Sequence, residues 1–511
     1  MQFLYFYSMI LKISGLLYRY APRDDEEKNV FATPAEREGK QSRTAVFSST
    51  MRLVFILLFL MPTSLWAGAV ELPGETLNLW WALPFAGMLA SLALMPLFAI
   101  HFWEAHYGKI ALAWSLVTIL SLAIVFGVSL AQATIFGTFF HHFLPFVIMI
   151  GTLYTIAGGI RIDVKDHATP LVNTALLAIG TFLAGWIGTT GASMLFIRPL
   201  LQMNRERKYR IHHIIFFIFL VANIGGALSP LGDPPLFIGF LNGVSFFWPT
   251  EFLIWGFMGV VIPLLLTFYA LDVFFMKREG FAFRNARPRF SLRGGLNGFL
   301  FLGVIGFVLL SGIWKPGMLV HIGGIPIEFQ NLARDLGLIF VAIVSWFFTP
   351  RQIYEANHFS WAPLKEVAIL FFGIFMTVIP VIAILDAGLQ GAMSPLISLV
   401  DIDDHPQNAM YFWLSGGLSS ILDNAPTYLV FFHMAGGDAS LLMTTLSRTL
   451  EAISLGAVFM GAMTYIGNAP NFMVKAIAEN HKIQMPSFFG YLGWSLGILL
   501  PLFLFISWWR F

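Results

Sequence analysis

The chain has no cysteine among its 511 residues, and only 11% of them are charged. The absence of cysteine excludes disulfide bonds, iron–sulfur clusters and metal sites built from thiolates. The formal net charge is only +2 and the basic residues fall in loops rather than along one face, so no nucleic-acid partner is expected. The nucleotide signature GxxxxGK[ST], the zinc signature HExxH and the nucleophile signature GxSxG are also absent.

Apolar residues are abundant instead, at 57% of the sequence, with a mean hydropathy of +0.76. Apolar runs of about 20 residues recur, and each is long enough to cross the roughly 30 Å hydrocarbon core of a bilayer as a helix. The short alternating segments that are typical of membrane-spanning strands are absent. We therefore predict an all-α polytopic membrane protein whose main partner is the lipid bilayer.

The first 69 residues differ from the rest of the chain. Residues 1–50 include a long polar stretch, whereas residues 51–69 carry one arginine, a short apolar core and small residues at their end. The second pattern is typical of a secretory signal. Our hypothesis is that residues 51–69 are a signal peptide starting at Met51 and that 1–50 are an upstream extension absent from the mature protein. A signal anchor behind a cytoplasmic tail is the alternative.

Simple and interrupted membrane crossings follow. The simple crossings are predicted at 79–101, 109–130, 134–158, 251–276, 295–314, 332–348, 364–386 and 486–509, and the interrupted ones at 211–247 and 443–482. Lysine and arginine in short loops favour the cytoplasmic side of a membrane. The basic clusters at 205–210 and 277–294 are therefore predicted to be cytoplasmic. The stretch between Lys365 and Arg448 contains neither residue type and is predicted to be periplasmic.

Two further apolar stretches are predicted to enter and leave the membrane on the same side. Residues 170–203 lie between basic loops, and each half of about 16 residues spans only about 24 Å as a helix, too little for a full crossing. The tip of this hairpin is predicted at 188–193. Residues 407–436 form a second hairpin between acidic loops, with its tip at 423–427. Both stretches are therefore predicted to be re-entrant hairpins.

The same order of elements is predicted twice. Residues 77–276 and 295–509 each contain three crossings, a re-entrant hairpin, a broken helix and a final crossing, and residues 277–294 form a basic cytoplasmic linker. An odd number of crossings in each half makes the second repeat inverted relative to the first. A short match supports the repeat, because IGGA at 224–227 aligns with IGNA at 466–469 at an offset of 242 positions.

The two interrupted helices carry polar residues where they break. Prolines remove backbone donors, so the first helix is predicted to open in SPLGDPP at 229–235, and its counterpart is GNAPN at 467–471. Unpaired backbone groups at membrane depth are tolerated only inside protein or beside a polar cavity. In transporters built from inverted repeats, such breaks bind ions and substrates. We therefore predict that both breaks and both hairpin tips converge on one site near the middle of the membrane.

The candidate site residues share oxygen-bearing side chains at these four points. They are Thr189, Thr190 and Ser193 at the first tip, Asn223 and Asp233 at the first break, Asp423, Asn424 and Thr427 at the second tip, and Asn468 and Asn471 at the second break. Sodium is a hard cation that prefers oxygen ligands. The predicted sodium ligands are Asp233, Asp423, Asn424 and Asn468. A carboxylate in lipid is costly, so its presence there indicates function.

Other polar residues give weaker signals. Asp233 and Asp423 are candidate proton relays, together with His433 and Glu451. Glu451 has a simple alternative role, since Arg448 lies three residues earlier on the same helix and is placed to pair with it. His212, His213 and Asp272 lie near predicted ends of crossings, where we expect them to be solvated.

Three motifs resemble a known group of transporters. NIGGALSPLGDPPLFIGF at 223–240, LDNAPTYL at 422–429 and TYIGNAPNFMVKAIAE at 464–479 closely resemble bacterial NhaD-type sodium/proton antiporters and the neighbouring citrate transporters of the ion transporter superfamily. The resemblance covers roughly residues 75–510. It implies the inverted-repeat fold of that superfamily, a homodimer, and ion sites at hairpin tips and helix breaks. The sodium-coupled dicarboxylate branch usually has Ser-Asn-Thr at its tips, which this chain lacks.

The expected function is secondary active transport, without enzyme activity and without a cofactor beyond the transported Na⁺ and H⁺. Desolvation raises the proton affinity of an aspartate and a bound cation lowers it again, so protons and sodium compete for one carboxylate. We expect exchange of cytoplasmic Na⁺ for external H⁺ across the bacterial inner membrane, and loss of this exchange in Asp423→Asn. Cation-coupled transport of citrate or another carboxylate, assisted by Arg198, is the alternative. A membrane-embedded enzyme is the least favoured alternative.

Overall fold

The computed structural model describes residues 72–165, 167–280, 289–322, 324–402 and 405–511. The hypothesised extension at 1–50 and the signal segment at 51–69 lie outside these described residues. The structure is 77% helical, and ten helices in its described part are long and apolar enough to cross a membrane. The prediction of an all-α polytopic membrane protein is therefore confirmed.

The first half of the chain opens with three long helical segments. Two 3₁₀ turns, Gly74–Thr76 and Leu79–Ala82, precede α1 (Leu83–Phe98) and α2 (Ile100–Phe126); the third segment joins α3 (Val128–Thr138), a π-helical turn (Phe139–Phe143) and α4 (Leu144–Gly158). The half continues through β1 (Arg161–Lys165), α5 (Pro170–Ile187), α6 (Thr189–Met203), α7 (Ile211–Leu220), a 3₁₀ turn (Ile224–Leu228), α8 (Pro234–Leu241) and α9 (Trp248–Arg278).

The second half has additional short helices and strands between its long helices. It begins with β2 (Arg289–Arg293), α10 (Gly295–Ile313), β3 (Leu319–Ile322), β4 (Ile325–Glu328), α11 (Phe329–Phe348), α12 (Arg351–Ala356), α13 (Ala362–Asp386), a 3₁₀ turn (Gly388–Gln390), α14 (Ser394–Val400), β5 (Asp401–Ile402) and β6 (His405–Pro406). It ends with α15 (Asn408–Ser419), α16 (Asn424–Met434), α17 (Ala439–Met443), α18 (Ser447–Met460), a 3₁₀ turn (Gly461–Met463), α19 (Ala469–Asn480) and α20 (Phe488–Arg510).

The strands form three small antiparallel ribbons, β1 with β2, β3 with β4, and β5 with β6. The sequence analysis did not predict them. In the first ribbon, Arg161 pairs with Arg293 and Lys165 with Arg289. Residues 289–293 of the predicted basic linker are thus hydrogen-bonded to the connection between α4 and α5. The ribbon therefore joins the linker between the two halves to the first half.

Two pairs of helices joined by short turns lie where the hairpins were predicted, although α5 in the first pair has 18 residues and is one of the ten described helices long enough to cross a membrane. α5 and α6 meet at Gly188, whose φ of +84° is the left-handed region that suits glycine, and α15 and α16 meet at the turn that ends with Asp423. α15 and α16 have 12 and 11 residues. At 1.5 Å per residue they span about 18 Å and 16 Å, which is too short for a full crossing. Their entry from one side of the membrane stays a prediction.

Both predicted helix breaks are also present, but each begins earlier than predicted. α7 ends at Leu220, before the motif at 229–235, and α18 ends at Met460, before the motif at 467–471. The first helix opens after α7 and resumes at Pro234 and Pro235, which occupy the first turn of α8, where proline needs no N–H partner. The second opens after α18 and resumes at Ala469. The span 211–228, which leads into the first break, is 94% buried, compared with 28% for the span at α1. The first broken helix is therefore buried inside the protein, where the long helix α9 packs against it.

Equivalent hydrogen bonds in the two halves indicate which residue of the first half corresponds to which residue of the second. Ser229 Oγ donates to Gly185 O at 2.5 Å, and Thr464 Oγ1 donates to Ser420 O at 2.6 Å. In both halves this bond joins the break to the preceding hairpin, and both pairs are related by an offset of 235 positions. Asp233 therefore corresponds to Asn468.

The offset of 242 that the sequence analysis used is wrong at the breaks. It paired Ala227, inside a 3₁₀ turn, with Ala469, at the start of α19. Only three small or apolar residues match between these segments, and such a match arises easily by chance and does not specify turn geometry. The inversion of the second half relative to the membrane stays a prediction.

Candidate functional site

Asp233 lies at the centre of hydrogen bonds that join the two halves of the chain. Its Oδ1 accepts a hydrogen bond from Thr189 Oγ1 at 2.9 Å and one from Asn468 Nδ2 at 3.4 Å. Its Oδ2 accepts a hydrogen bond from Asn424 Nδ2. The residue is only 1% exposed. A carboxylate of the first half is thus enclosed by two amides of the second half, as the predicted convergence requires.

Each of these four side chains lies where a helix begins. Thr189 and Asn424 are the first residues of α6 and α16, while Asp233 and Asn468 immediately precede α8 and α19. The N–H groups at the start of a helix have no partner within it and carry positive partial charge. The Asp233 carboxylate therefore lies among the amino ends of four short helices. The offset of 235 relates Thr189 to Asn424 as well, so the site has equivalent residues from both halves, but an acid in only one.

Three buried oxygen atoms among the candidate residues have no hydrogen-bond partner in the described part of the chain. They are Ser193 Oγ, Asn223 Oδ1 and Asn424 Oδ1. Buried polar atoms in folded proteins are nearly always hydrogen-bonded. Asn424 presents its amide nitrogen to Asp233, which leaves its oxygen free beside the carboxylate. These oxygens, together with Asp233, are the donor atoms that a hard cation prefers.

Asn223 and Asn471 connect the two breaks to each other. Asn223 Nδ2 donates to Asn471 Oδ1 and to Ile218 O, both at 2.7 Å. Asn471 Nδ2 donates to the carbonyl oxygens of Gly461 and Thr464, both at 2.9 Å. These amides replace helical hydrogen bonds that the breaks remove. Asn471 therefore braces the backbone, and both ends of its amide are occupied within the protein.

The second hairpin tip holds Asp423 differently from Asp233. Asp423 is half-buried and precedes α16, where its Oδ1 accepts a hydrogen bond from the N–H of Ala425 at 3.1 Å. This is ordinary capping of a helix start. Thr427 Oγ1 donates to the backbone oxygen of Asp423 at 3.0 Å, and Thr190 is half-buried beside Thr189. Asp423 is close enough to Asp233 to interact with it electrostatically, but the direct contacts centre on Asp233.

The structure places the other two proton-relay candidates elsewhere. Glu451 forms ion pairs with Arg448 at 2.9 Å and with Arg510 at 2.7 Å, so both of its oxygens are occupied. This confirms the pairing alternative for Arg448 and adds a second arginine. His433 Nδ1 lies 2.7 Å from Asp386 Oδ1, at the far end of α16 from Asn424.

A buried network at the end of α9 was wrongly expected to be solvated. His212, His213 and Asp272 are each no more than 2% exposed. Asp272 Oδ1 lies 2.9 Å from Arg207 Nη2, 3.1 Å from His212 Nε2 and 3.2 Å from His213 Nε2. Asn173 Nδ2 donates to Asp272 Oδ2 at 2.8 Å. Nearness to the end of a crossing did not predict exposure, because α5 and the loop after α6 cover this end of α9.

The comparison with known families supports the resemblance seen in the motifs. A family model described as "Putative citrate transport" matches residues 74–511. The chain belongs to this family. The match covers both halves and every residue of the Asp233 site, while no curated protein matches the chain. Membership in this transport family, with the ten apolar helices in the described part of the chain, identifies a multi-pass membrane protein and indicates a secondary transporter.

Gly232 offers a direct test of how closely the first break must pack. A Cβ atom at this position would lie 2.2 Å from Gly226 O and 3.0 Å from Gly185 Cα. We expect Gly232→Ala to displace the neighbouring Asp233 and to lower the transport rate roughly a hundredfold, the loss typical of a displacement of about 1 Å at a pre-organised site. Gly298→Ala on α10 is the matched control, because no atom lies within 4 Å of its added Cβ. Equal transport by the two variants would contradict the expected displacement.

Proposed function

We propose that this member of the citrate transport family exchanges Na⁺ for H⁺ across the bacterial cytoplasmic membrane, and that Asp233 binds either ion. One observation carries the proposal. The Asp233 carboxylate is buried, and its hydrogen-bond donors within the described part of the chain are a hydroxyl and two amides, all of them neutral.

The buried position of Asp233 makes a negative charge there costly. An ion removed from water costs several kcal/mol unless an opposite charge compensates for it. The amino ends of helices typically contribute about 0.3–1 kcal/mol each, so they reduce this cost without supplying a full positive charge. Asp233 therefore requires either a proton or a cation. Asn424 Oδ1 and Asn223 Oδ1, which have no hydrogen-bond partner among the described residues, supply further oxygen ligands for the cation.

Exchange follows if the two ions exclude each other. A bound Na⁺ disfavours protonation of the same carboxylate, and a proton removes the charge that attracts Na⁺. If the loaded site alone changes its access between the two sides of the membrane, each Na⁺ that leaves is replaced by a proton from the other side. The proton gradient then drives Na⁺ export.

Cation-coupled transport of citrate or a related carboxylate is the second candidate. The name of the matching family favours it, and so does Arg198 on α6, whose half-buried guanidinium leaves Nη1 without a partner in the described part of the chain. Four helix starts around the site also suit an anion. Against it, the one fully buried charge at the site is an acid, which repels a carboxylate.

Membrane vesicles distinguish the two functions. In inverted vesicles from a strain that lacks sodium/proton antiporters, we expect added Na⁺ to release protons from acidified vesicles that contain the protein. Vesicles without it are the control. Radiolabelled citrate uptake is measured in parallel in vesicles of the opposite orientation. Citrate uptake without sodium-driven proton movement would reverse the assignment.

A further inference from the structure

A large open cavity lies beside the candidate site, between α3, α13 and α16. Its volume is about 670 Å³, and the 3₁₀ turn at Gly74–Thr76 forms part of its rim. Its polar lining side chains are Glu75, Thr76, Thr134, Thr138, His142, Asn242, Asp386 and His433. A cavity of this size holds many water molecules, since one water occupies about 30 Å³ of liquid. We call it the outer cavity, because the sequence predicts the end of α13 to be periplasmic.

Two short helices lead from the Asp233 site to the outer cavity. α8 begins beside Asp233 and ends at Leu241, next to the lining residue Asn242. α16 begins at Asn424, and its residues Leu429 and His433 line the cavity. The helices pack against each other. At 1.5 Å per residue, the cavity wall at Leu429 is about 7 to 8 Å along α16 from Asn424.

The charges of the outer cavity favour cations. Glu75 and Asp386 are acids, and no lysine or arginine is among the described residues that line it. Asp386 is 47% exposed and its Oδ1 lies 2.7 Å from His433 Nδ1. His142, in a π-helical turn of the kind often found at functional sites, has a buried Nδ1 without a partner among the described residues. Clefts lined by one sign of charge concentrate ions of the opposite sign.

We propose that the outer cavity is a cation-selective vestibule from which monovalent cations and protons reach Asp233, with Asp386 as the residue that attracts them. The inference rests on the proposed function for the identity of the transported ion. It assigns a role to Asp386 and Glu75 that the contacts at Asp233 do not reveal. A multivalent anion such as citrate would be repelled from the same cavity.

The absence of cysteine from the chain permits a clean test of the cavity. Thr138→Cys places a single thiol on its α3 wall, and Thr134→Cys, one turn earlier, is the second reporter if the first does not fold. Membrane-impermeant methanethiosulfonates with a trimethylammonium or a sulfonate group are then compared by their reaction rates. Gln390→Cys, exposed just beyond the end of α13, is the matched control for the intrinsic reactivity of the two reagents.

We expect the ratio of cationic to anionic rates to be roughly sevenfold higher at Thr138→Cys than at Gln390→Cys, the factor given by a local potential of about one kT acting oppositely on the two reagents. Adding Asp386→Asn should remove most of this preference. An equal or reversed ratio, or protection of the thiol by citrate, would overturn the proposal.

The labelling result is independent of the proposed exchange, because it reports the potential in the cavity and not transport. Sodium-driven proton movement without a cationic preference would contradict the vestibule and leave the exchange intact. A cationic preference without sodium-driven proton movement would contradict the exchange and leave the selectivity of the cavity intact. In the active protein, Asp386→Asn should raise the KM for external cation about threefold while the maximal rate is retained, because a one-kT potential acts here on a single monovalent cation.

Discussion

Asp233→Asn is expected to reduce sodium-driven proton movement to the level of vesicles without the protein. Asparagine keeps the shape of the side chain and still accepts a hydrogen bond from Thr189, but it carries no charge and binds no transported proton. Asn424 can rotate its amide, because its Oδ1 has no partner in the described part of the chain. The variant should therefore fold while losing its function.

Thermal melting of the purified protein in detergent separates folding from ion binding. A ligand that binds only the folded state at a hundred times its Kd stabilises that state by about 2.7 kcal/mol. We expect Na⁺ to raise the melting temperature of the wild type and to leave that of Asp233→Asn unchanged. Without Na⁺, the variant should melt no lower than the wild type, since the Asp233 carboxylate must then take up a proton to avoid an uncompensated buried charge, whereas asparagine is neutral already.

Asp423→Asn is the matched control for this assignment. Asn and Asp are equally good at the start of a helix, so the capping bond to Ala425 should survive. The structure therefore changes the expectation drawn from the sequence, and we expect this variant to retain measurable exchange. Loss of exchange in Asp423→Asn with full exchange in Asp233→Asn would show that the central carboxylate is Asp423.

The second large effect is expected on stability. Asp272→Ala should lower the free energy of unfolding by about 3 kcal/mol, the lower end of the range for a broken buried ion pair, because Arg207 loses one acid but keeps its buried pair with Glu279. Asp272 accepts a hydrogen bond from Asn173 on α5 and contacts Arg207 in the loop after α6. It also lies beside both histidines of α7. The substitution therefore loosens the hairpin, the broken helix and α9 together. Melting of the detergent-solubilised protein measures the loss.

An exposed ion pair provides the control for this prediction. Arg351 Nε lies 3.2 Å from Glu355 Oε1 on α12, and both side chains are more than half exposed. Such pairs contribute about 0–1 kcal/mol, so Glu355→Ala should leave the melting temperature nearly unchanged. A similar, small shift for both variants would mean that the Asp272 network contributes little to stability.

The presence of the two helix breaks could be predicted from the sequence, but the contacts of the residues at the breaks could not. The breaks themselves were predictable, since prolines at 230, 234 and 235 and the GNAPN motif remove helical hydrogen bonds wherever they occur. The correct register of the halves was also present in the sequence, because Gly232-Asp233-Pro234-Pro235 and Gly467-Asn468-Ala469-Pro470 share a small residue, a capping residue and a proline at the offset of 235. The match between IGGA and IGNA, at an offset of 242 positions, indicated a different alignment of the two halves.

The division of roles among the polar residues could not be predicted in the same way. Asp233 and Asp423 look alike in sequence, and each follows a turn and precedes a helix. They differ in the residues that contact them. Asn424 and Asn468, which are distant in the chain, enclose Asp233, whereas Asp423 accepts a hydrogen bond from the nearby N–H of Ala425. Glu451 and Asp272 likewise depend on distant arginines, Arg510 and Arg207.

The sequence by itself determined the membrane class, the main helical segments and the presence of two helix breaks, because hydropathy and proline act locally through hydrogen bonding and desolvation. Only the tertiary structure decided which acid is enclosed, which polar side chains brace the backbone, and where the outer cavity opens. These properties depend on contacts between residues up to about half the chain apart, as between Asp233 and Asn468. No local pattern encodes such contacts.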